Sequence, residues 1–247
     1  MIYLKSREEI NLIKQSGRII REIFEKVKDK IKGGVTTQEL DEWIDNFIRK
    51  KGAQSAFKGY RGYPKCCCIS VNEEVVHGIP SSRVIKEGDI VSIDVGVKLN
   101  GYIADAARTF PVGKISREKA RLMSVTKQAL YLGIKQVRVG NRVGDISHAI
   151  QTWVEKNGYS VVKVLFGHGV GYFLHEDPVV PNFGKAHRGE LLQDGIVLAI
   201  EPMVNAGGDK VRVLNNRWTV VTSDGKPSAH FEHTVALVDG KVMILTR

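Results

Sequence analysis

Cysteine is scarce in this chain of 247 residues, and the three present are contiguous: Cys66, Cys67 and Cys68. An odd, adjacent set is no disulfide framework and lacks the paired spacing of a structural zinc site. It fits reduced thiols packed near the start of a strand in a reducing compartment. Long hydrophobic runs are missing as well: no uncharged stretch approaches the ~18–20 residues needed to span a bilayer. The N-terminus, "MIYLKSREEINLIKQSG", shows no apolar run followed by a small-residue cleavage site. A soluble, cytoplasmic protein is expected. Linkers rich in Pro, Ser or Gly are absent, so one domain over 1–247 is expected. Acidic residues are outnumbered, 27 against 37 basic ones, for a net charge of +10. That balance suits an anionic neighbour. The basic residues are scattered, however, with no zinc finger, RNA-recognition signature or basic arm, and a generally solvated surface is the better account.

What is present is ordinary in bulk, with 43% hydrophobic and 26% charged residues, and long enough to bury a substantial core. Ile10, Ile13, Ile20, Phe24, Val27 and Ile31 recur at helical spacing over 7–31, behind a capping box of Ser6 and Glu9. Thr36 with Glu39 caps a second helix whose apolar side is Leu40, Trp43, Ile44, Phe47 and Ile48. Strands are expected around Cys68–Asn72, Ile90–Leu99 and Tyr102–Val112. The order then repeats, with a helix over 117–137 and another running to Asn157-Gly158. Aligning Gly34 with Gly140 also matches Leu40 with Ile146, Ile44 with Ile150, Phe47 with Trp153 and Gly52 with Gly158. "EGDIVSID" (87–94) aligns with "DGIVLAIE" (194–201), placing Asp94 opposite Glu201. A later register pairs Asp105 with Glu232. The reading is an α/β sandwich of two pseudo-symmetric halves, each two helices followed by mainly antiparallel strands.

"IVSIDVGVKLNGYIADAARTF" is the most informative strand pair. Asn100-Gly101 is a two-residue type I′ turn signal, so Leu99 faces Tyr102 and Gly96 faces Asp105. Asp94 lies two residues from Gly96 on the same face, which makes Asp94 and Asp105 diagonal neighbours with ~7–8 Å between backbones. Gly96 leaves space between them. Two carboxylates on one face need something positive beside them; a salt bridge to Arg108 would serve, and so would a metal. Glu201 ends the apolar run "GIVLAIE", Glu232 interrupts "AHFEHTVALV", and His168 stands between glycines in "FGHGVGYFLHEDP". Four carboxylates and one imidazole suit divalent Mn, Fe or Co, with Zn allowed, and the carboxylates suffice to bridge two ions. Glycines beside His168 would let backbone and metal approach closely.

The chain resembles the type I methionine aminopeptidases, of the bacterial kind without an N-terminal extension, over essentially all 247 residues. The resemblance is carried by "GYRGYPKCCCISVNEEVVHGIP", "EGDIVSIDVGVKLNGYIADAARTF", "FGHGVGYFLHEDPVVPNFG", "GIVLAIEPM" and "HFEHTV", in order and at family spacing. It implies the pita-bread (creatinase/aminopeptidase-like) fold, an α/β fold with two pseudo-symmetric halves around a mainly antiparallel curved sheet. It also implies removal of the initiator methionine from nascent proteins and peptides, with a small second residue preferred. By resemblance, Asp94, Asp105, His168, Glu201 and Glu232 hold two divalent metal ions (Co, Mn, Fe or Zn), with Asp105 and Glu232 bridging. A hydroxide between the ions is then the nucleophile and Glu201 the proton shuttle. His77 and His175 match the family's non-ligand histidines, which contact the scissile peptide and the oxyanion. Tyr60, Tyr63, Cys68 and Trp218 match the methionine pocket, with Phe57 a further candidate.

Departures from the family pattern are Ala106 for a common threonine, Phe166 for a frequent cysteine, Tyr172-Phe173-Leu174 before "HE", and His230 where glutamine is usual. Nascent chain N-termini are the expected partners, the chain is expected to act as a monomer, and no membrane is involved. The basic balance is compatible with contact with the ribosome surface. Two alternatives are a relative that cleaves X-Pro bonds, which usually carries an additional N-terminal domain, and a non-catalytic member that binds RNA or ribosomes, which typically loses metal ligands.

Overall fold

The computed structural model describes residues 2–247. Four helices carry the apolar stripes read from the sequence: α1 (Arg7–Val27), α2 (Thr37–Lys50), α3 (Arg117–Ile134) and α4 (Val143–Lys156). Both capping boxes form. The Glu9 amide donates to Ser6 Oγ at 3.3 Å and the Ser6 amide to Glu9 at 2.7 Å, and Thr36 with Glu39 repeats the arrangement. Helix α1 ends before Ile31, which stays buried beyond a turn, and α3 stops at Ile134 instead of reaching residue 137.

The named strands pair antiparallel throughout and divide into four ladders. The first joins Gln54–Ser55, Ile90–Leu99, Cys68–Val71 and Tyr102–Pro111; its hairpin has the expected register, Leu99 opposite Tyr102 and Gly96 opposite Asp105. Asn100 and Gly101 take φ of 51° and 86°, as a type I′ turn requires. A five-stranded ladder in the second half runs Lys241–Ile244, His233–Val238, Val197–Ile200, Phe166–Gly169 and Glu176–Pro181. Two short three-stranded ladders flank these, one of them pairing Met203–Asn205 with Ser228–His230. The internal repeat survives in the backbone: Gly34 and Gly140 share φ near +90° (93° and 90°), and Gly52 and Gly158 take 70° and 81°.

Each half packs its own buried cluster. One lies under α1 and α2 and the other under α3 and α4. They interleave, since Val197, Ala199 and Ala236 belong to the first cluster and Ile90 to the second. Two threonine hydroxyls join the halves where they meet. Thr234 Oγ1 accepts from the Asp105 amide at 2.9 Å and donates to the Asp105 carbonyl at 2.6 Å. Thr109 Oγ1 treats His230 in the same way, at 3.0 and 2.8 Å. No helix among the described residues is long and apolar enough to cross a membrane.

Candidate metal centre

Both aspartates face one cavity because the hairpin alternation puts them there. Asp94 sits opposite Ala107 and Cys68, and Asp105 opposite Gly96. The space at Gly96 is not left open between them: a Cβ there would stand 2.5 Å from a Phe57 ring carbon, so the glycine admits that ring to the cavity wall. Arg108 points to the other face and lies over the Phe24 ring, 5.3 Å from its centroid. The salt-bridge account of the aspartate pair therefore does not hold.

The second half supplies the remaining groups. His168 lies in the strand Phe166–Gly169, held between the strands Val197–Ile200 and Glu176–Pro181. The flanking glycines answer to neighbouring backbone. A Cβ on Gly167 would meet the Ala199 carbonyl oxygen at 2.3 Å, and one on Gly169 the Asp177 carbonyl oxygen at 2.2 Å. His168 Nδ1 is 2.9 Å from the Gly169 carbonyl, which can only accept, so Nδ1 carries a proton and, in the neutral ring, the lone pair is left on Nε2. Nε2 lies 3.6 Å from Glu201 Oε1 and 3.9 Å from Asp105 Oδ2. Ligating atoms of Asp105, His168 and Glu232 all fall within 4.8 Å of one another. Glu201 follows directly on the strand Val197–Ile200, and Glu232 is fixed by its amide donating to the Ala107 carbonyl at 2.8 Å.

Desolvation dominates the electrostatics. It raises the Asp94 carboxyl to about 7, with Glu201 adding to the rise and His230 opposing it. Glu201 is likewise raised to about 7 by burial, opposed by His168. Asp105 and Glu232 are pushed well up, by burial first and then by the neighbouring carboxylates. Asp94 Oδ1, Asp105 Oδ1 and Glu232 Oε1 are buried without a hydrogen-bond partner. Among the described residues, the groups within ion-pair distance of this cluster are imidazoles, not lysine or arginine. Orphaned carboxylate oxygens converging beside an imidazole nitrogen are what a divalent cation would satisfy, and the residues fit one.

The cavity has a volume of about 190 Å³, and every residue expected at the site lines it: Tyr60, Tyr63, Cys68, His77, Asp94, Asp105, His168, His175, Glu201, Trp218 and Glu232. Phe57 joins them, together with Arg61 and Leu174, which the sequence reading had not assigned to the site. Their signal was position alone: Arg61 lies within "GYRGYP" and Leu174 precedes His175. His77 adopts a left-handed φ of 57°, a strained backbone for a non-glycine residue. Burial lowers its imidazole to about 4, with His230 adding to the fall. His175, exposed at the rim, has Nδ1 2.8 Å from the Tyr60 hydroxyl and its ring 4.3 Å from that of His168. Desolvation of that ring, then His168 and Arg61, push it down too. The Tyr63 hydroxyl turns away to backbone carbonyls of Cys67 and Gly78, both at 3.1 Å, while its ring meets Trp218 edge-on at 5.0 Å. The cavity wall thus combines aromatic, aliphatic and thiol groups with ionisable ones.

The family model for metallopeptidase family M24 matches residues 11–239. A curated relative from Bacillus subtilis named methionine aminopeptidase 1 is 52% identical over 247 residues, covering all of both chains. The crystal structure of methionine aminopeptidase from Thermotoga maritima superposes with a TM-score of 0.98 at 43% identity, again over all of both chains. A prolidase from Pyrococcus furiosus shares the fold, with a TM-score of 0.81 at 22% identity, over 99% of this chain and 65% of that one.

Proposed function

The chain belongs to metallopeptidase family M24, among its methionine aminopeptidases, and from that membership we propose that it removes the N-terminal methionine of nascent proteins and peptides, favouring a small second residue. The observation that carries this reading is the convergence of four raised carboxyls and the His168 imidazole in a cavity whose remaining wall is largely aromatic and thiol-lined.

In this reading Asp94, Asp105, His168, Glu201 and Glu232 hold two divalent ions, Mn, Fe, Co or Zn. The ions, when bound, supply a water ionised near neutral pH and positive charge for the substrate carbonyl. The chain's own residues do the rest. Phe57, Tyr60, Tyr63, Cys68, Leu174 and Trp218 receive the methionine thioether, which aromatic rings and sulfur accept without a polar partner. Tyr63 suits that wall because its hydroxyl is already satisfied elsewhere. His77 and His175 donate to the scissile peptide and the developing oxyanion. A Tyr60 hydroxyl donating to His175 Nδ1 leaves the proton on Nε2, ready to be given. Glu201 carries a proton to the leaving amine. A groove sharing Arg61, His168 and His175 with the cavity gives the rest of the peptide a way out.

The whole chain, 1–247, would work as one cytoplasmic catalytic domain and as a monomer; the interleaved clusters support the single domain. Its charge of +10 is compatible with contact with the ribosome, which co-sedimentation at low salt tests. The decisive assay compares Met-Ala, Met-Leu and X-Pro peptides. We expect Met-Ala to be cleaved fastest, only with divalent metal present, and Asp94→Asn or His168→Ala to abolish it. Equal turnover by stripped and loaded protein, or a preference for X-Pro, overturns the reading.

A further inference from the structure

The Glu201 carboxylate lies between two imidazoles. His168 Nε2 stands 3.6 Å from Oε1, and on the other side His230 Nε2 stands 3.3 Å from Oε2. The His230 side chain is 2% exposed and Nε2 has no hydrogen-bond partner. A buried ring nitrogen left unpaired beside a carboxylate oxygen is costly, and an aligned bond with that oxygen would remove the cost.

The ring is placed there by backbone fixed on both sides. Its strand pairs with Met203–Asn205, so His230 opposes Met203, two residues after Glu201. Thr109 Oγ1, from the other half, binds both the His230 amide and carbonyl and also contacts Ser92 Oγ at 2.8 Å. His230 is therefore held against Glu201 by one half and clamped by the other. His230 meets Glu201 through Oε2, whereas His168 meets it through Oε1, so each imidazole faces its own oxygen of that carboxylate. The two tautomers differ sharply here. Beside the ionised carboxylate, a ring with the proton on Nε2 donates to Oε2, whereas a bare Nε2 would turn one lone pair on another.

We propose that His230 is a positioning residue for Glu201: its Nε2–H donates to Oε2, fixing the carboxylate plane so that Oε1 stays turned toward His168 and the other metal-binding oxygens. The proposal rests on the reading of Glu201 as a metal ligand. Outer partners of this kind set ligand orientation, and their loss weakens metal affinity.

The test is titration of Mn(II) into the chelator-stripped full chain by calorimetry, comparing His230→Leu, which removes the donor, with His230→Gln, which keeps an N–H. We expect the leucine variant to bind Mn(II) about tenfold or more weakly and the glutamine variant to come within about threefold of the parent. In the loaded enzyme the leucine variant should lose kcat with KM for Met-Ala little changed. Equal losses in both variants, or none in either, overturn the proposal. Should the leucine variant fail to fold, nitrogen NMR of the histidine-labelled, unsubstituted chain decides: a proton on His230 Nε2 supports the assignment and a bare Nε2 overturns it. Glu201→Ala binding Mn(II) as tightly as the parent would sink the underlying reading along with the proposal, a result distinct from the others.

Discussion

Burial lowers the imidazoles of His77 and His175 at the cavity, and His77 shows the consequence for stability. Its imidazole is lowered to about 4 by desolvation, against ~6.5 in an unfolded chain. Above pH ~6.5 both states are neutral and the group contributes no pH dependence. As pH falls from ~6.5 to about 4 the unfolded chain takes up a proton that the folded one refuses, so stability drops across that window and then levels off. His175 and His233 are lowered too and act in the same direction, while the raised carboxyls of the metal-free site act oppositely. A single variant isolates one term. His77→Asn keeps a side chain that tolerates the left-handed φ of 57° and removes the titration. Urea denaturation of the metal-stripped protein at several pH values should show the parent losing more stability than His77→Asn between pH ~6.5 and 4; parallel curves would contradict the assignment.

At the scale of an element, the segment from Gly171 to Glu176 presents His175 and Leu174 to the cavity without regular secondary structure before Glu176. What holds it is a buried ion pair. Lys5 and Glu176 are in contact with side chains 1% exposed each, and the Tyr172 and Phe173 amides donate to Glu176 Oε1 at 2.7 and 2.9 Å. Burial lowers Lys5, and the pairing with Glu176 opposes that fall. Lys5→Met strands the carboxylate in the interior and should cost about 3–5 kcal/mol in urea denaturation. The double variant Lys5→Met/Glu176→Gln should recover part of this, because a neutral amide is cheaper to bury. Mn(II) affinity should hold, since none of the five side chains proposed to hold the metal lies on the segment, while kcat/KM for Met-Ala falls with the displacement of His175. This element was hard to see in the sequence. "YFLHEDP" has neither helical nor strand periodicity, and the lysine that secures it lies 171 residues away. The helices and the hairpin, by contrast, were legible because their caps and turn act within a few residues.

Across the whole molecule the site is a joint. Asp94 and Asp105 come from the first half, His168, Glu201 and Glu232 from the second, and the threonine clamps at Asp105 and His230 cross the same boundary. Mutual repulsion and the desolvation of four carboxyls work against that joint when no cation is present. Divalent metal that binds only the folded state should therefore stabilise the entire chain. At a hundredfold excess over Kd the gain is ~2.7 kcal/mol, an upward shift in Tm of roughly 5–10 °C for a chain of this size. Calorimetric scans with and without Mn(II) measure it, and Asp105→Asn/Glu232→Gln should erase the shift. A shift that persists in that variant would place the stabilising ion elsewhere.

By itself the sequence determined what acts at short range. Ser6 with Glu9 and Thr36 with Glu39 started helices, Asn100-Gly101 set a register that aligned Asp94 with Asp105 on one face, and matched glycines announced the repeat. The ordered run of motifs also picked out the four carboxylates, the imidazole and the aromatic and thiol groups that line one cavity. Tertiary structure alone decided the rest: that Phe57 fills the space at Gly96, that Arg108 turns away to Phe24, and that His230 meets Glu201. The reason is physical. A cap or a turn depends on a handful of neighbouring residues, whereas desolvation and side-chain contact depend on every atom packed nearby, and those atoms come from segments far apart in the chain.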